Sequence, residues 1–110
     1  MTEIRTEPIV FNTTVQFNIL PTKQLGTFPK TVTTPYVTNL ETWKFVNIGA
    51  VTVTNFLNGS TVQTIKILGD GNTTIANNTT ILTNTGANKL LAVNKVYRFT
   101  LFGSVWIEDS

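Results

Sequence analysis

Six carboxylates carry all the acid–base capacity of this 110-residue sequence: Glu3, Glu7, Glu41, Asp70, Glu108 and Asp109. The sequence has no histidine and no cysteine. Their absence removes the commonest general base, the commonest transition-metal ligand, thiolate nucleophiles and disulfides together. A paired-carboxylate catalyst would need two of the acids to converge on one bond. Four of them lie near the termini and Asp70 sits between two glycines, so Glu41 is the one mid-chain acid suited to burial. The expectation is a non-enzymatic chain with no catalytic residue.

Gly69-Asp70-Gly71-Asn72 offers oxygen ligands in the manner of a calcium loop, but Thr73 and Thr74 stand where further carboxylates are required. No Gly-Lys-Ser/Thr follows these glycines, so they do not form a phosphate-binding loop. Neither a metal nor a cofactor is expected. Asn12, Asn58, Asn72, Asn77 and Asn78 each fit the Asn-X-Ser/Thr pattern. With 22 threonines and 12 asparagines in the chain, chance accounts for these matches, and no glycosylation is assigned.

Aromatic residues are the remaining source of binding chemistry. Trp43, Phe45, Phe56, Tyr97, Phe99, Phe102 and Trp106 fall within expected strands. Exposed Trp and Tyr stack on sugars, which makes Trp43, Tyr97 and Trp106 candidate interface or ligand aromatics, with a cell-surface glycan as the ligand. The alternation Tyr97, Phe99, Leu101 reads instead as one buried strand face, and core or subunit interface is the preferred role. The basic residues Arg5, Lys23, Lys30, Lys44, Lys66, Lys89, Lys95 and Arg98 are scattered, and the net charge is only +2. No basic groove interleaved with aromatics is visible, so nucleic acid is not an expected partner. No apolar run approaches the ~20 residues of a membrane span, so membrane insertion is not expected either.

The elements that must position these residues are strands. Ile9, Phe11, Val15, Phe17 and Ile19 alternate with Asn12, Thr14, Gln16 and Asn18, a period of two that no helical face collects. Pro21 ends this strand. Pro21, Gly26, Pro29 and Pro35 then punctuate a stretch that reads as an extended linker, with Leu25 and Phe28 as its surface-pinned residues. Residues 1–35 are therefore an N-terminal β-arm and linker, and 36–110 a compact β-domain.

Within the domain, strands are expected from Thr42 to Ile48, Val51 to Leu57 and Thr61 to Leu68. Others follow from Thr73 to Ala76, Thr79 to Thr83, Lys89 to Val93, Val96 to Phe102 and Val105 to Ile107. Asn58-Gly59 between apolar runs predicts a tight hairpin. The near-repeat Asn72-Thr73-Thr74-Ile75 and Asn78-Thr79-Thr80-Ile81 would suit adjoining rungs of a solenoid, although two copies do not establish one. The fold class is all-β: a compact sandwich, roll or short β-solenoid of about seven to nine short strands. Met1-Thr-Glu-Ile-Arg-Thr-Glu lacks the basic-then-apolar order of a signal peptide. An extracellular role is then expected to follow from lysis, from assembly into a particle, or from excision out of a longer chain.

Several segments together resemble a C-terminal β-domain of tailed-bacteriophage appendage, tail-fibre and tailspike proteins. They are Thr34-Pro35-Tyr36-Val37, Trp43-Lys44-Phe45 and Val53-Thr54-Asn55-Phe56-Leu57-Asn58-Gly59. Gln63-Thr64-Ile65-Lys66-Ile67-Leu68-Gly69-Asp70-Gly71-Asn72-Thr73-Thr74-Ile75 carries the most specific likeness. Tyr97-Arg98-Phe99, Leu101 and Trp106-Ile107-Glu108 complete it, and residues 1–33 lie outside it. The resemblance implies a homotrimeric, structural or assembly domain that caps a fibre beside other virion tail proteins. It implies a virion location after assembly in the host cytoplasm, with a carbohydrate-binding host-recognition tip as the alternative role. Some similar appendages shed a C-terminal domain by self-cleavage, but no catalytic set here carries that activity over.

Overall fold

The computed structural model describes residues 24–109, and the strand expected over residues 9–20 lies outside them. Nine short strands and no helix make up the described residues. They are β1 (Leu25–Thr27), β2 (Thr42–Lys44), β3 (Val51–Val53), β4 (Thr64–Leu68), β5 (Thr73–Ile75), β6 (Ile81–Leu82), β7 (Lys89–Leu90), β8 (Val96–Phe102) and β9 (Val105–Glu108). A six-stranded sheet has the order β1-β2-β4-β8-β9-β6, and a three-stranded sheet the order β3-β5-β7.

The period of two in the sequence becomes the inside and outside of these sheets. Ile65 and Ile67 of β4, Phe99 and Leu101 of β8 and Trp106 of β9 are buried, while Lys66, Arg98 and Ile107 take the opposite face. Val53 and Ile75 enter the same core from the smaller sheet, joined by Phe28, Val37, Trp43, Phe45, Phe56, Ile81 and Leu91. Burial of large apolar side chains, each worth about 1.5–3 kcal/mol, is what holds the layers together.

The chain changes sheet at every connection from β2 to β8. As a result β2 runs parallel to β4, and β3 parallel to β5. β1 is also parallel to β2. The segment between them crosses to the other layer, where Tyr36 bridges Leu57 in parallel and the Val37 N–H donates to the Leu57 carbonyl at 2.9 Å. The first part of the domain is thus a short coil, and the antiparallel β8–β9 hairpin closes against it.

Two sequence expectations change here. Asn58 does adopt the left-handed backbone of a turn, at φ 69°. It joins strands of different sheets, however, so it forms no hairpin. Its side chain donates to the Val37 carbonyl at 3.0 Å, and a Cβ on Gly59 would lie 2.5 Å from the Trp106 ring. The tight turn is a corner that lets the chain pass a tryptophan. The tight hairpin sits instead at Gly103-Ser104, where Gly103 has φ 65° and Phe102 faces Val105. The two Asn-Thr-Thr-Ile copies also part company, since Ile75 is in β5 and Ile81 in β6, on opposite sheets.

The stretch read as a linker is built into the fold from Leu25 onward. β1 adds to the sheet edge, and a Cβ on Gly26 would lie 2.4 Å from the Trp43 ring. Phe28 stacks on Trp43 with ring centroids 4.6 Å apart and planes 4° apart. Prolines and glycine hid these contacts, because β1 is only three residues long and its inner position is a glycine.

Candidate functional site

Two clusters concentrate the polar chemistry of the domain. The first lies where successive coils turn from one sheet to the other. Asp70 Oδ1 accepts the N–H groups of Asn72 and Thr73 at 2.8 and 2.9 Å. Its Oδ2 accepts the Asn47 N–H at 2.8 Å and the Thr73 hydroxyl at 3.0 Å. Asn47 is itself buried, donates from Nδ2 to Thr73 Oγ1 at 2.8 Å, and accepts the Thr31 N–H at Oδ1 at 2.7 Å. Three consecutive corners are therefore tied by side chains. Burial alone would raise the Asp70 pKa, but these donors outweigh it and hold the carboxyl below its ordinary value.

The flanking glycines have separate reasons. A Cβ on Gly69 would lie 2.2 Å from the Ala92 carbonyl oxygen, and Gly71 has φ 80°. Both Asp70 oxygens are engaged by donors of the chain itself, so this turn is a clasp between corners.

The second cluster surrounds a groove of about 400 Å³ lined by Lys66, Asn84, Lys89, Lys95, Val96, Tyr97, Arg98, Glu108 and Asp109. β8 begins at Val96, and its register with β9 runs from Phe99 opposite Glu108, with one further bond from the Asp109 N–H to the Arg98 carbonyl at 3.0 Å. The start of β8 is left with β4 on one side and the groove on the other.

Inside it, Glu108 accepts Lys89 Nζ with both oxygens at 2.9 Å and the Asn84 N–H at 2.9 Å. This pair links β7 of the small sheet to β9 of the large one. Arg98 meets Asp109 at 3.5 Å and Lys66 meets Glu41 at 3.7 Å, both at exposed positions where such pairs contribute little. Lys95 makes no ion pair among the described residues.

The three aromatics singled out in the sequence divide between these environments. Trp43 and Trp106 are 5% and 1% exposed, with their Nε1 groups donating to the carbonyls of Leu40 and Phe56 at 3.0 and 3.1 Å. Both indoles therefore have their faces and their polar edge occupied by the domain itself. Tyr97 is half-buried at the groove; its hydroxyl accepts the Ala92 N–H at 2.9 Å, and Lys89 Nζ stands 5.8 Å from its ring centroid. The convergence of Lys66, Lys89, Lys95 and Arg98 was not visible in the sequence. Lys66 faces Arg98 only through the β4–β8 register, which links positions 32 residues apart.

The family model of the phage depolymerase C-terminal beta sandwich domain matches residues 27–107. The chain belongs to this family. The two packed sheets fit that description, and the match begins at Thr27 in β1 and ends within β9. As a phage depolymerase C-terminal domain, it is a tail-associated structural domain and a virion tail component that works with other tail proteins. No curated protein matches the chain, and no solved structure does.

Proposed function

We propose that this depolymerase C-terminal domain assembles its own chain into a homotrimer and has no turnover of its own. The supporting observation is an apolar strip on the outer face of the larger sheet. Leu82 of β6 lies in register with Ile107 of β9, and Phe102 of β8 faces Val105 beside them. Leu82, Phe102 and Ile107 are 43%, 53% and 37% exposed although they occupy regular strand positions. A contiguous strip of this kind is the mark of a partner surface. A second copy of the chain meets it by cyclic symmetry, in which a patch of one subunit packs on a different patch of the next. The number three follows from the fibre-tip domains that the sequence resembles.

The non-catalytic part rests on the acids. Asp70 is saturated with donors and both Glu108 oxygens are held by Lys89, so neither carboxylate presents a free oxygen to a substrate. Light scattering on the whole chain should give three times the chain mass, and Phe102→Ser with Ile107→Ser should lower it without loss of β-sheet circular dichroism. Deletion of residues 1–20 should weaken the assembly as well if the arm joins the contact. A monomeric parent chain would sink the proposal.

A further inference from the structure

The geometry points to a covalent bond that the chain makes within itself: an amide between the side chains of Lys89 and Asn84, formed with Glu108 as proton carrier. Glu108 is the one buried ionisable residue among those described. Its side chain is 4% exposed and that of Lys89 17%, against 38% for Lys66 and 52% for Arg98. Both Glu108 oxygens accept from Lys89 Nζ at 2.9 Å, and Oε1 also accepts the backbone N–H of Asn84. One carboxylate therefore positions both reacting residues. Lys89 Nζ stands 2.5 Å from Asn84 Oδ1. With a C=O bond of about 1.2 Å, the amide carbon lies no more than about 3.7 Å from Nζ, close to the range from which a nucleophile attacks.

The orientation of the Asn84 amide suits the exchange. Its Oδ1 faces the amine, while Nδ2 donates to the Asp109 carbonyl at 3.0 Å on the exposed side, from which a leaving group escapes into water. An ion pair taken out of water is costly, and one proton transfer turns it into a neutral amine and a neutral acid. Glu108 takes that proton from Nζ, and the freed lone pair attacks Cγ of Asn84. The Nζ–Cγ bond forms as the carbonyl electrons move onto Oδ1. Glu108 then passes its proton to Nδ2 and carries a second one there from Nζ. The carbonyl closes again, the Cγ–Nδ2 bond breaks, and nitrogen leaves as ammonium with the charge that the lysine began with. Glu108 returns to a carboxylate, and neither oxidant nor cofactor is consumed. Asn84 follows β6, an edge strand of the larger sheet, and Lys89 opens β7 of the smaller one. The bond therefore ties the two sheets covalently in a chain that has no cysteine.

The test is intact-mass spectrometry of the whole chain, followed by tryptic mapping of the unfolded protein. The chain should weigh one ammonia less than its sequence, and trypsin should fail at Lys89, leaving a peptide from Ile67 to Lys95 that carries the same deficit. Glu108→Gln should slow bond formation about a hundredfold or more, so that freshly purified chains keep their full mass. Asn84→Ser changes an exposed side chain, leaves the fold intact by circular dichroism, and should also keep full mass with Lys89 open to trypsin. A parent chain of full mass that is cut at Lys89 after prolonged incubation at neutral pH would overturn the inference. So would an ammonia loss that leaves Lys89 cleavable, which is the mark of a succinimide at an asparagine. Cross-linking in Asn84→Ser, or at the parent rate in Glu108→Gln, would overturn it too. One bond per chain is not turnover, and the measurement reads chain mass and not subunit number, so its failure leaves the assembly proposal standing.

Discussion

At the Asp70 corner four donors converge on one carboxylate, whereas around the β8 groove four cations meet three acids, with Lys66, Lys89 and Arg98 each on a separate one. Both places are polar, and both join parts of the chain distant in sequence. In the corner every strong acceptor site is filled by the chain's own N–H and hydroxyl groups. Its charge is absorbed by folding, and nothing is left over for a ligand. In the groove, Lys89 and Glu108 form a similarly closed pair, but Lys66, Lys95 and Arg98 keep donor capacity facing solvent. A charged residue thus reports structure or binding according to how completely its partners satisfy it.

The comparison breaks most visibly at the corner glycines. Gly69→Ala would force a Cβ to 2.2 Å from a backbone oxygen, that of Ala92 in the β7–β8 connection. Backbone has no side-chain freedom with which to give way, so a loss of more than about 3 kcal/mol is expected. Gly49→Ala is the control, because nothing lies within 4 Å of a Cβ there and its φ is not in the left-handed region. That substitution should stay within about 0.5 kcal/mol. Urea denaturation of the two variants measures the difference, and equal stabilities would mean that the corner is not tightly packed.

A smaller effect is expected from the charge itself. Asp70→Asn keeps one acceptor oxygen but turns an amide N–H₂ toward donors that now face an oxygen, at a cost of about 2 kcal/mol. The same carboxylate sets a pH dependence. Its folded-state pKa lies below the ordinary value, so the stability it contributes is present above the unfolded pKa of roughly 4 and is lost as pH falls through the lower folded value. Thermal unfolding of the parent chain should therefore weaken in acid below about pH 4. The Asn variant should lack that part of the decline, and an identical acid profile in both would remove Asp70 from the account.

Much of this contrast was legible in the sequence at the level of strands and not at the level of neighbours. β8 matches its expected span from Val96 to Phe102, since its alternation is long enough to declare itself. The turn that Gly69-Asp70-Gly71 predicts stands between β4 and β5, although the partner that explains it, Asn47, lies 23 residues away. Asn58-Gly59 was read as a hairpin because local turn chemistry is the same whether the next strand pairs beside the last or crosses to the other sheet. Parallel neighbours such as β2 and β4 leave no local trace in sequence. The groove was illegible for the same reason, as its cations meet only where register sets Lys66 against Arg98.

The smallest effect is the most discriminating. If the groove cations serve binding rather than folding, removing them should leave stability almost untouched. Arg98→Gln loses an exposed 3.5 Å contact with Asp109, worth a few tenths of a kcal/mol, and also relieves the repulsion with Lys66, of similar size and opposite sign. The two terms offset, so the urea midpoint should shift by less than about 0.5 kcal/mol in either direction. A destabilisation as large as that of Asp70→Asn would assign Arg98 to the architecture, and the distinction between the two clusters would collapse. A slight gain in stability would sharpen it, because a protein that becomes more stable on losing a charge was holding that charge for something other than its fold.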